Sequence, residues 1–396
     1  MSGFASLLKE VVEVGLCTDC GTCAAVCPRH LIRMDYEAEE PRRDGDCGKR
    51  CRVCYDVCPG KDIDLPSLAE MSFGSVSGNR HRTLGIVRVS LKGYAAIPEI
   101  RESGTGGGVV SALLVYALEN GLIDAAVVTG MMKDRPWRVM PLVATSRHDI
   151  IANARSKYAI SPTNEALSSA IAGGRRVGLV GLPCQIHGWR KIQLFNASRK
   201  LNDAVQFGIG LFCGVNSPHI GTEHMVVEGC GVPLEKIARL EFRGGPYPGR
   251  FQVTTLEGRT VAPPPMSLAI YGAAFFRDRC LMCIDYSNEL ADVAVGDYYH
   301  PDMKPGALGW SVIVVRSIKG EKLIDGARNR GFIYTEPLEE EYLMGAGYEM
   351  KKHGAVWRWL QRKAHGWPVP EYHLPLNMPA PFARAAEMLP PYGKGH

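Results

Sequence analysis

The sequence predicts a small α+β head followed by a larger mixed α/β body, and three observations carry that expectation. Eight of the 13 cysteines fall in two runs between residues 17 and 58. Short β-branched runs alternate with helical patterns through the rest of the chain, which is the signature of an α/β layer structure. Between the two lies a Gly- and Ser-containing stretch after Pro66, SFGSVSGNRHR. A length of 396 residues suits two or three units, one of them large enough to bury a core. The expected division is a head at 1–65, a linker at 66–90, a body at 91–340 and a C-terminal arm at 341–396.

Composition removes several classes. With 46% hydrophobic and 22% charged residues, disorder, collagen-like repeats and coiled coil are poor descriptions. The net charge of +5 is spread along the chain, which argues against a dedicated nucleic-acid binder but not against an anionic ligand. No stretch reaches about 18 uninterrupted apolar residues, so no membrane span is expected. The N-terminus, MSGFASLLKEVVEVGLC, lacks a basic segment followed by a long apolar one, and the expected location is cytoplasmic. An odd number of clustered cysteines in such a chain points to metal binding or redox chemistry rather than to a disulfide scaffold.

In the head, Cys17, Cys20, Cys23 and Cys27 precede Pro28 as C-x2-C-x2-C-x3-C-P. This is the bacterial ferredoxin run that holds a 4Fe–4S cluster. Cys47, Cys51, Cys54 and Cys58 precede Pro59 and repeat it with one extra residue after Cys47. Three closely spaced thiolates wrap one cube from a tight loop, and in two-cluster ferredoxins the fourth cysteine serves the other cube. The expected sets are therefore Cys17, Cys20, Cys23 and Cys58 for one cluster, and Cys47, Cys51, Cys54 and Cys27 for the other. Zinc sites use two separated cysteine pairs and fit this pattern poorly. Two such clusters have no substrate pocket of their own, so the head is expected to carry electrons.

In the body, strands are expected at Ala125–Thr129, Val177–Val180 and Ser311–Val315, and helices at Val109–Leu118 and Thr163–Ala172. The Gly-rich loop Ser103–Gly108 runs into the first of these helices, where unpaired N–H groups and the helix dipole favour a phosphate. It is neither a dinucleotide fingerprint nor a Walker loop. Cys184 and Cys213 each follow an expected strand, and Cys280 and Cys283 form a C-x2-C pair. Single cysteines after strands are commonly small buried hydrophobes, and a redox-active pair is a second reading. A third cluster built from these four distant positions is the reading that leaves only Cys230 unassigned. His187 and His300 are candidate proton handlers.

The motifs CTDCGTCAAVCP, SGTGGGVVSALL, SKYAIS, VGLVGLPCQIHGWRK, GLFCG, EFRGG, CLMCIDYSNELADVAVGD and GWSVIVVRSIKGEKL occur in that order over roughly residues 15 to 335. Together they resemble the coenzyme F420 hydrogenase/dehydrogenase beta-subunit family. The resemblance implies a flavin-binding body with FAD beside an iron–sulfur cluster. It implies that Ser103, Gly106, Gly107 and Gly108 hold the FAD phosphates with Ser156, Lys157 and Tyr158 nearby. It further implies that Cys184, Cys213, Cys280 and Cys283 ligate the body cluster, with Gln185 and Asp297 close to the cofactors. Arg243 and Arg250, in EFRGGPYPGRF, are candidates to meet an anionic flavin edge or the acidic tail of a carrier.

The expected function is hydride exchange between coenzyme F420 or NAD(P)H and FAD, with single electrons passing through the clusters to or from a partner subunit or ferredoxin. Two alternatives stand beside it: a ferredoxin-dependent reductase of a small organic substrate, and an electron-transfer subunit without catalysis. Trp357, Trp359 and Trp367 precede seven prolines between Pro368 and Pro391. Such an arm suits docking onto a partner, in a hetero-complex or a homo-oligomer, or wrapping its own body.

Overall fold

The computed structural model describes residues 2–74, 80–81, 84–299, 306–338, 342 and 346–376. In the head, β1 (Ile32–Asp35) and β2 (Glu40–Arg43) form an antiparallel pair, and short helices at Thr22–Ala25 and Val53–Asp56 lie inside the two cysteine runs. A short pair, β3 (Arg80–His81) and β4 (Gly85–Ile86), precedes the body. The body strands are β5 (Val89–Ala95), β6 (Ala125–Met131), β7 (Val139–Ala144), β8 (Val177–Gly181) and β9 (Val205–Leu211). After them come β10 (Ile237–Gly244), β11 (Arg250–Thr255) and β12 (Thr260–Val261), a separate antiparallel sheet. The chain then returns with β13 (Val293–Tyr298), β14 (Trp310–Val315) and β15 (Ile333–Pro337).

Eight strands make one mixed sheet in the order β15-β5-β14-β13-β9-β8-β6-β7. The central four, β13, β9, β8 and β6, are mutually parallel, and the outer pairings are antiparallel. Parallel strands are covered on both faces, and every residue of β8 is accordingly buried. Alternation sorts the side chains to two cores. Val312 and Val314 face one, and Ile313 and Val315 face the other. Helices Val109–Glu119 and Ile318–Asn329 fill the second face, while helix Pro183–Leu194, carrying Trp189, fills the first.

The three expected strands are present within one or two residues, and so is the helix at Val109. The helix expected at Thr163–Ala172 is instead a 3-10 turn at Thr163–Ala166, one α turn at Leu167–Ala170 and a stop at Gly173. The reason is local. Thr163 and Asn164 turn inward to hydrogen-bond buried groups, so their side chains do not lie along a continuous helix surface.

The stretch expected as a linker contains helix Leu65–Phe73, capped by Asp64, and its Leu65 and Leu68 are buried in the first core. Val26 and Val57 of the head join that same core. Head and body are also locked by polar groups. Lys191, 2% exposed, donates to the carbonyls of Cys58 and Asp62 and to the Asp62 carboxylate. The Glu165 carboxylate accepts from Met34 N and Tyr36 Oη. Gly21 has φ 79°, and a Cβ there would lie 2.3 Å from the Pro162 carbonyl, so only glycine fits where the head presses on the body.

The C-terminal helix Ala346–Ala364 and the strap after it pack on the chain's own surface. Trp359 donates to the Pro370 carbonyl, and buried Tyr372 donates to the Met282 carbonyl. The backbone at Glu371 bridges to Asp62 of the head. Of the arm's described part, then, the wrapping reading describes residues up to 376, while Trp357 and Trp367 stay exposed. The later prolines, Pro379 to Pro391, lie outside the described residues. No described helix is long and apolar enough to cross a membrane.

Candidate functional site

Ligands of open α/β sheets bind in the crevice beyond the carboxyl ends of the parallel strands. In this chain that edge collects the residues singled out in the body. Cys184 follows the end of β8, Cys213 follows the end of β9, and Asp297 stands near the end of β13. The Gly-rich loop reaches the same edge. Gly107 donates to Ser311 Oγ at the start of β14 and accepts from Ala95 N at the end of β5. A Cβ on Gly106 would lie 2.5 Å from Asp297 Oδ1, and one on Gly107 would lie 2.6 Å from the Gly93 carbonyl. Close loop-to-sheet approach therefore explains these glycines, and it sets the loop directly beside Asp297.

Around Asp297 lies a polar knot. Arg243, buried, pairs with the Asp297 carboxylate, donates to the Pro248 carbonyl at 2.7 Å, and reaches Tyr158 Oη at 3.5 Å. Tyr299 donates to Asp297 at 3.0 Å. Burial opposes the charge on Arg243, but Asp297 and the neighbouring tyrosines outweigh it and hold the guanidinium above its ordinary pKa. Its Nη2 atom is buried and has no hydrogen-bond partner. Arg250, by contrast, is exposed.

A cavity of about 530 Å³ adjoins the knot, lined among others by Ser103, Met132, Arg155, Ser156, Lys157 and Phe242. That volume is in the range of cofactor pockets. Thr105 Oγ1 accepts from Ser156 N and ties the loop to the wall. Lys157 is not free within it. Its Nζ donates to the carbonyls of Asn153, Ala154 and Arg155, and burial pushes its pKa down to about 8. Gln185 is also committed, accepting from Leu182 N and donating to Ser161 O and Thr163 Oγ1. Its place is to hold the helix of Cys184 against the 161–163 segment.

The thirteen cysteines are free thiols. The Cys184 thiol is raised by burial and then by Cys20, Cys213, Cys280 and Cys283. The Cys23 thiol is raised by burial and then by Cys20, Cys17, Cys58 and Cys54. Burial followed by Cys51, Cys47, Cys27 and Cys58 pushes Cys54 up to about 12. Thiols this deep and this close ionise poorly by themselves, and metal coordination is what deprotonates such groups. Among the described residues, no three His, Cys, Asp or Glu side chains converge closely enough for a single ion. Donors are already aimed at the sulfurs: Asp19 N at Cys17 and Leu31 N at Cys27, both 3.4 Å, and Arg43 Nη1 at Cys47, 3.1 Å. Such hydrogen bonds tune cluster potentials.

Cys213 N donates to the Tyr286 carbonyl at 2.9 Å, and burial raises the Tyr286 phenol, with Asp297 and then Cys213 adding to it. Cys184 feels Cys20 across the head–body contact. There, fully buried Asn164 donates to Thr22 Oγ1 (2.9 Å) and to the Gln185 carbonyl (2.8 Å), and its backbone N donates to Cys20 O. Thr22 Oγ1 in turn shares a 3.1 Å hydrogen bond with Cys20 Sγ. Cys230 stands apart, raised by burial to about 11.

His187 is buried and its Nε2 lies 2.7 Å from Asp285, two residues past Cys283. It ties two of the body-group segments together. His300 lies outside the described residues. Sequence reading missed Thr105, Asn164, Asp285 and Tyr299. Asp285 and Thr105 stand inside quoted motifs and were open to suspicion, whereas nothing near Asn164 in sequence marks it.

An α/β protein with a cysteine-fitted crevice at its strand ends is thus defined by fold and site. The chain matches the family models for coenzyme F420 hydrogenase/dehydrogenase, beta subunit, with the N-terminal part at residues 90–168 and the C-terminal part at 174–341. It is 30% identical to a coenzyme F420-dependent sulfite reductase of Methanocaldococcus jannaschii, over 84% of this chain and 49% of that protein, so it spans about half of that relative. It is 33% identical to the coenzyme F420 hydrogenase subunit beta of Methanosarcina barkeri, over 61% of this chain and 79% of that one. A chain of the F420-reducing [NiFe] hydrogenase complex from Methanosarcina barkeri superposes with a TM-score of 0.61 at 28% identity, over 74% of this chain and 98% of that one. The chain belongs to the coenzyme F420 hydrogenase/dehydrogenase beta-subunit family.

Proposed function

We propose that this chain is an iron–sulfur flavoprotein oxidoreductase that moves electrons between a two-electron carrier and a one-electron partner. The carrier is coenzyme F420, as the names of its relatives suggest, with NAD(P)H as the alternative. The partner is a redox subunit or a ferredoxin. The observation that supports this reading is the Arg243–Asp297 pair and Gly-rich loop at the sheet edge where Cys184 and Cys213 follow neighbouring parallel strands, with the cysteine-rich head bonded to the same region through Asn164.

FAD, when bound, supplies the conversion of a hydride into single electrons that side chains cannot perform, and 4Fe–4S clusters supply their conduction. The residues have their own tasks. Ser103 lines the cavity and the glycines after it lead to the N-terminus of the following helix, where a pyrophosphate would be favoured, although Gly104 N and Gly107 N are already bonded within the chain. Arg243, charged and with its Nη2 unpartnered, offers a donor to an anionic ring edge, and Asp297 holds it in place. Cys184, Cys213, Cys280 and Cys283 would hold the body cluster. Cys17, Cys20, Cys23 and Cys58 would hold the next one, and Cys47, Cys51, Cys54 and Cys27 the outermost.

The test is anaerobic purification followed by iron, acid-labile sulfide and flavin analysis. About twelve irons with one FAD per chain is the expected content. Bleaching of the flavin band by reduced F420, compared with NADH and NADPH, then assigns the carrier. About eight irons without flavin would sink the catalytic reading and leave an electron-transfer subunit.

A further inference from the structure

Resting on the three-cluster reading, we infer that the loop over Cys47 and Cys51 is the docking surface for the acidic face of a small one-electron carrier protein. Hydrogen bonds give the loop its place. The carbonyls of Cys17, Cys20 and Cys58 accept from Arg277, Asn164 and Lys191 of the body, whereas the Cys51 carbonyl and Cys47 Sγ accept from Gly3 N and Arg43 Nη1 of the head itself. The Cys47–Cys51 loop therefore stands on the side of the head turned away from the body contact. Cys47 and Cys51 are half-buried, so that side is open to a partner.

Charge identifies the partner. The residues from Cys47 to Val53 read CGKRCRV, three cations and no acid. Lys49, Arg50 and Arg52 are all exposed. Neither Lys49 nor Arg50 has an ion-pair partner among the described residues, and Arg52 has only Asp56 at 3.7 Å, with both side chains close to half exposed. Exposed Arg29, beside the Cys27 turn, donates to a backbone carbonyl, that of Asp46, and has no ion pair among the described residues. Asp46, exposed beside Cys47, accepts from Gly48 N and sets one acid against these cations, which still outnumber it. Several of the head's other acids are engaged elsewhere. Asp44 pairs with Arg33, Glu37 with Arg135 and Arg138, Asp62 with Lys191, and Glu39 accepts from His219 N. Over 1–65 the head holds more acidic than basic residues, yet its unpaired cations gather where the outermost electron would leave. An excess of one sign at an exit site steers an oppositely charged partner and speeds encounter rather than tightening the complex. The step itself is one electron from a reduced cluster to the oxidised carrier, or the reverse, with no bond made and no proton moved.

The experiment uses the full holoprotein, reduced with dithionite and freed of excess reductant, so that flavin reactivity does not enter. Stopped-flow mixing follows its oxidation by an acidic ferredoxin, and separately by cytochrome c, a basic protein of similar size. In the Lys49→Glu/Arg50→Glu variant, with iron and sulfide content unchanged, transfer to ferredoxin at low ionic strength should fall by about tenfold or more. Transfer to cytochrome c should hold or rise, and the wild-type advantage toward ferredoxin should fade at about 0.5 M salt. A Lys49→Gln/Arg50→Gln variant should fall between. A ferredoxin rate insensitive to the reversal, or an equal loss toward both probes, overturns the proposal. Binding of wild type, but not the variant, to vesicles rich in anionic lipid, with ferredoxin transfer unchanged, overturns it in favour of a lipid surface. A head without iron overturns the functional reading and this surface together, whereas intact clusters with charge-blind transfer overturn the surface alone.

Discussion

The head and the body place cysteines around a group in two different ways. In the head, eight thiols come from two runs inside 42 residues, and short turns of helix hold them. In the body, four thiols span Cys184 to Cys283, and two of them are delivered by the ends of neighbouring parallel strands. The first arrangement depends on spacing, the second on register. A head group should tolerate changes in the body sheet, while the body group should fail with any shift of β8 against β9.

Removing one body ligand gives the sharpest break. Cys184→Ser should lose the body cluster, about a third of the iron, while the head clusters keep their signals in EPR and iron analysis. Loss of all iron would show that the two regions do not assemble independently. Next in size is the shared core. Trp189 is 1% exposed and lies against Gly208 of β9 on the face that also receives Val26 and Val57 of the head. Trp189→Ala should cost about 3–5 kcal/mol in denaturant titration, with head and body unfolding together. Separate transitions would mean the core is not shared.

His219 reports on the lock between the head's β1–β2 hairpin and the body. Burial, then Arg138, push its pKa from 6.5 down to about 4, against opposing effects of Glu223 and Glu37. The unfolded chain therefore binds the proton first on acidification. Stability should be constant above about pH 6.5 and fall through the window to pH 4, by about 2–3 kcal/mol from this group. In His219→Gln, thermal melts across that window should be flatter by this amount, and an unchanged slope would remove His219 as the cause. Smallest is the contact at Asn164. Asn164→Ala leaves Thr22 Oγ1 and the Gln185 carbonyl each short of one buried donor, at about 1–3 kcal/mol. Because these groups join Cys20 to the Cys184 helix, the variant should also slow electron exchange between head and body in freeze-quench EPR, with both clusters still loaded.

Much of this could be read from residues alone. The head's cysteine sets rest on fixed spacings, and the central strands on runs such as VGLVG that only a doubly covered sheet can bury. The helix after SGTGGG was equally legible from its apolar content. Other expectations needed the third dimension. The start of the expected linker, up to Phe73, lies in a packed helix because Leu65 and Leu68 found a place in the body core, while residues 75–79 and 82–83 of that stretch lie outside the described residues. The helix expected at Thr163–Ala172 broke because Asn164 and Thr163 were drawn to partners 20 to 140 residues away. Lys157 and Gln185 looked ready to meet a ligand, and the fold satisfies them with its own carbonyls, hydroxyl and amide.

By itself, then, the sequence determined where the cysteines cluster and where the central strands and the helix at Val109 lie, since spacing and burial preference act over a few residues. Only the tertiary structure decided that Cys184 and Cys213 leave neighbouring strands at one sheet edge, that Arg243 answers to Asp297, and that Asn164 joins the Cys20 turn to the helix of Cys184. Those facts depend on strand order and register, which arise from how separate segments cover each other's apolar faces.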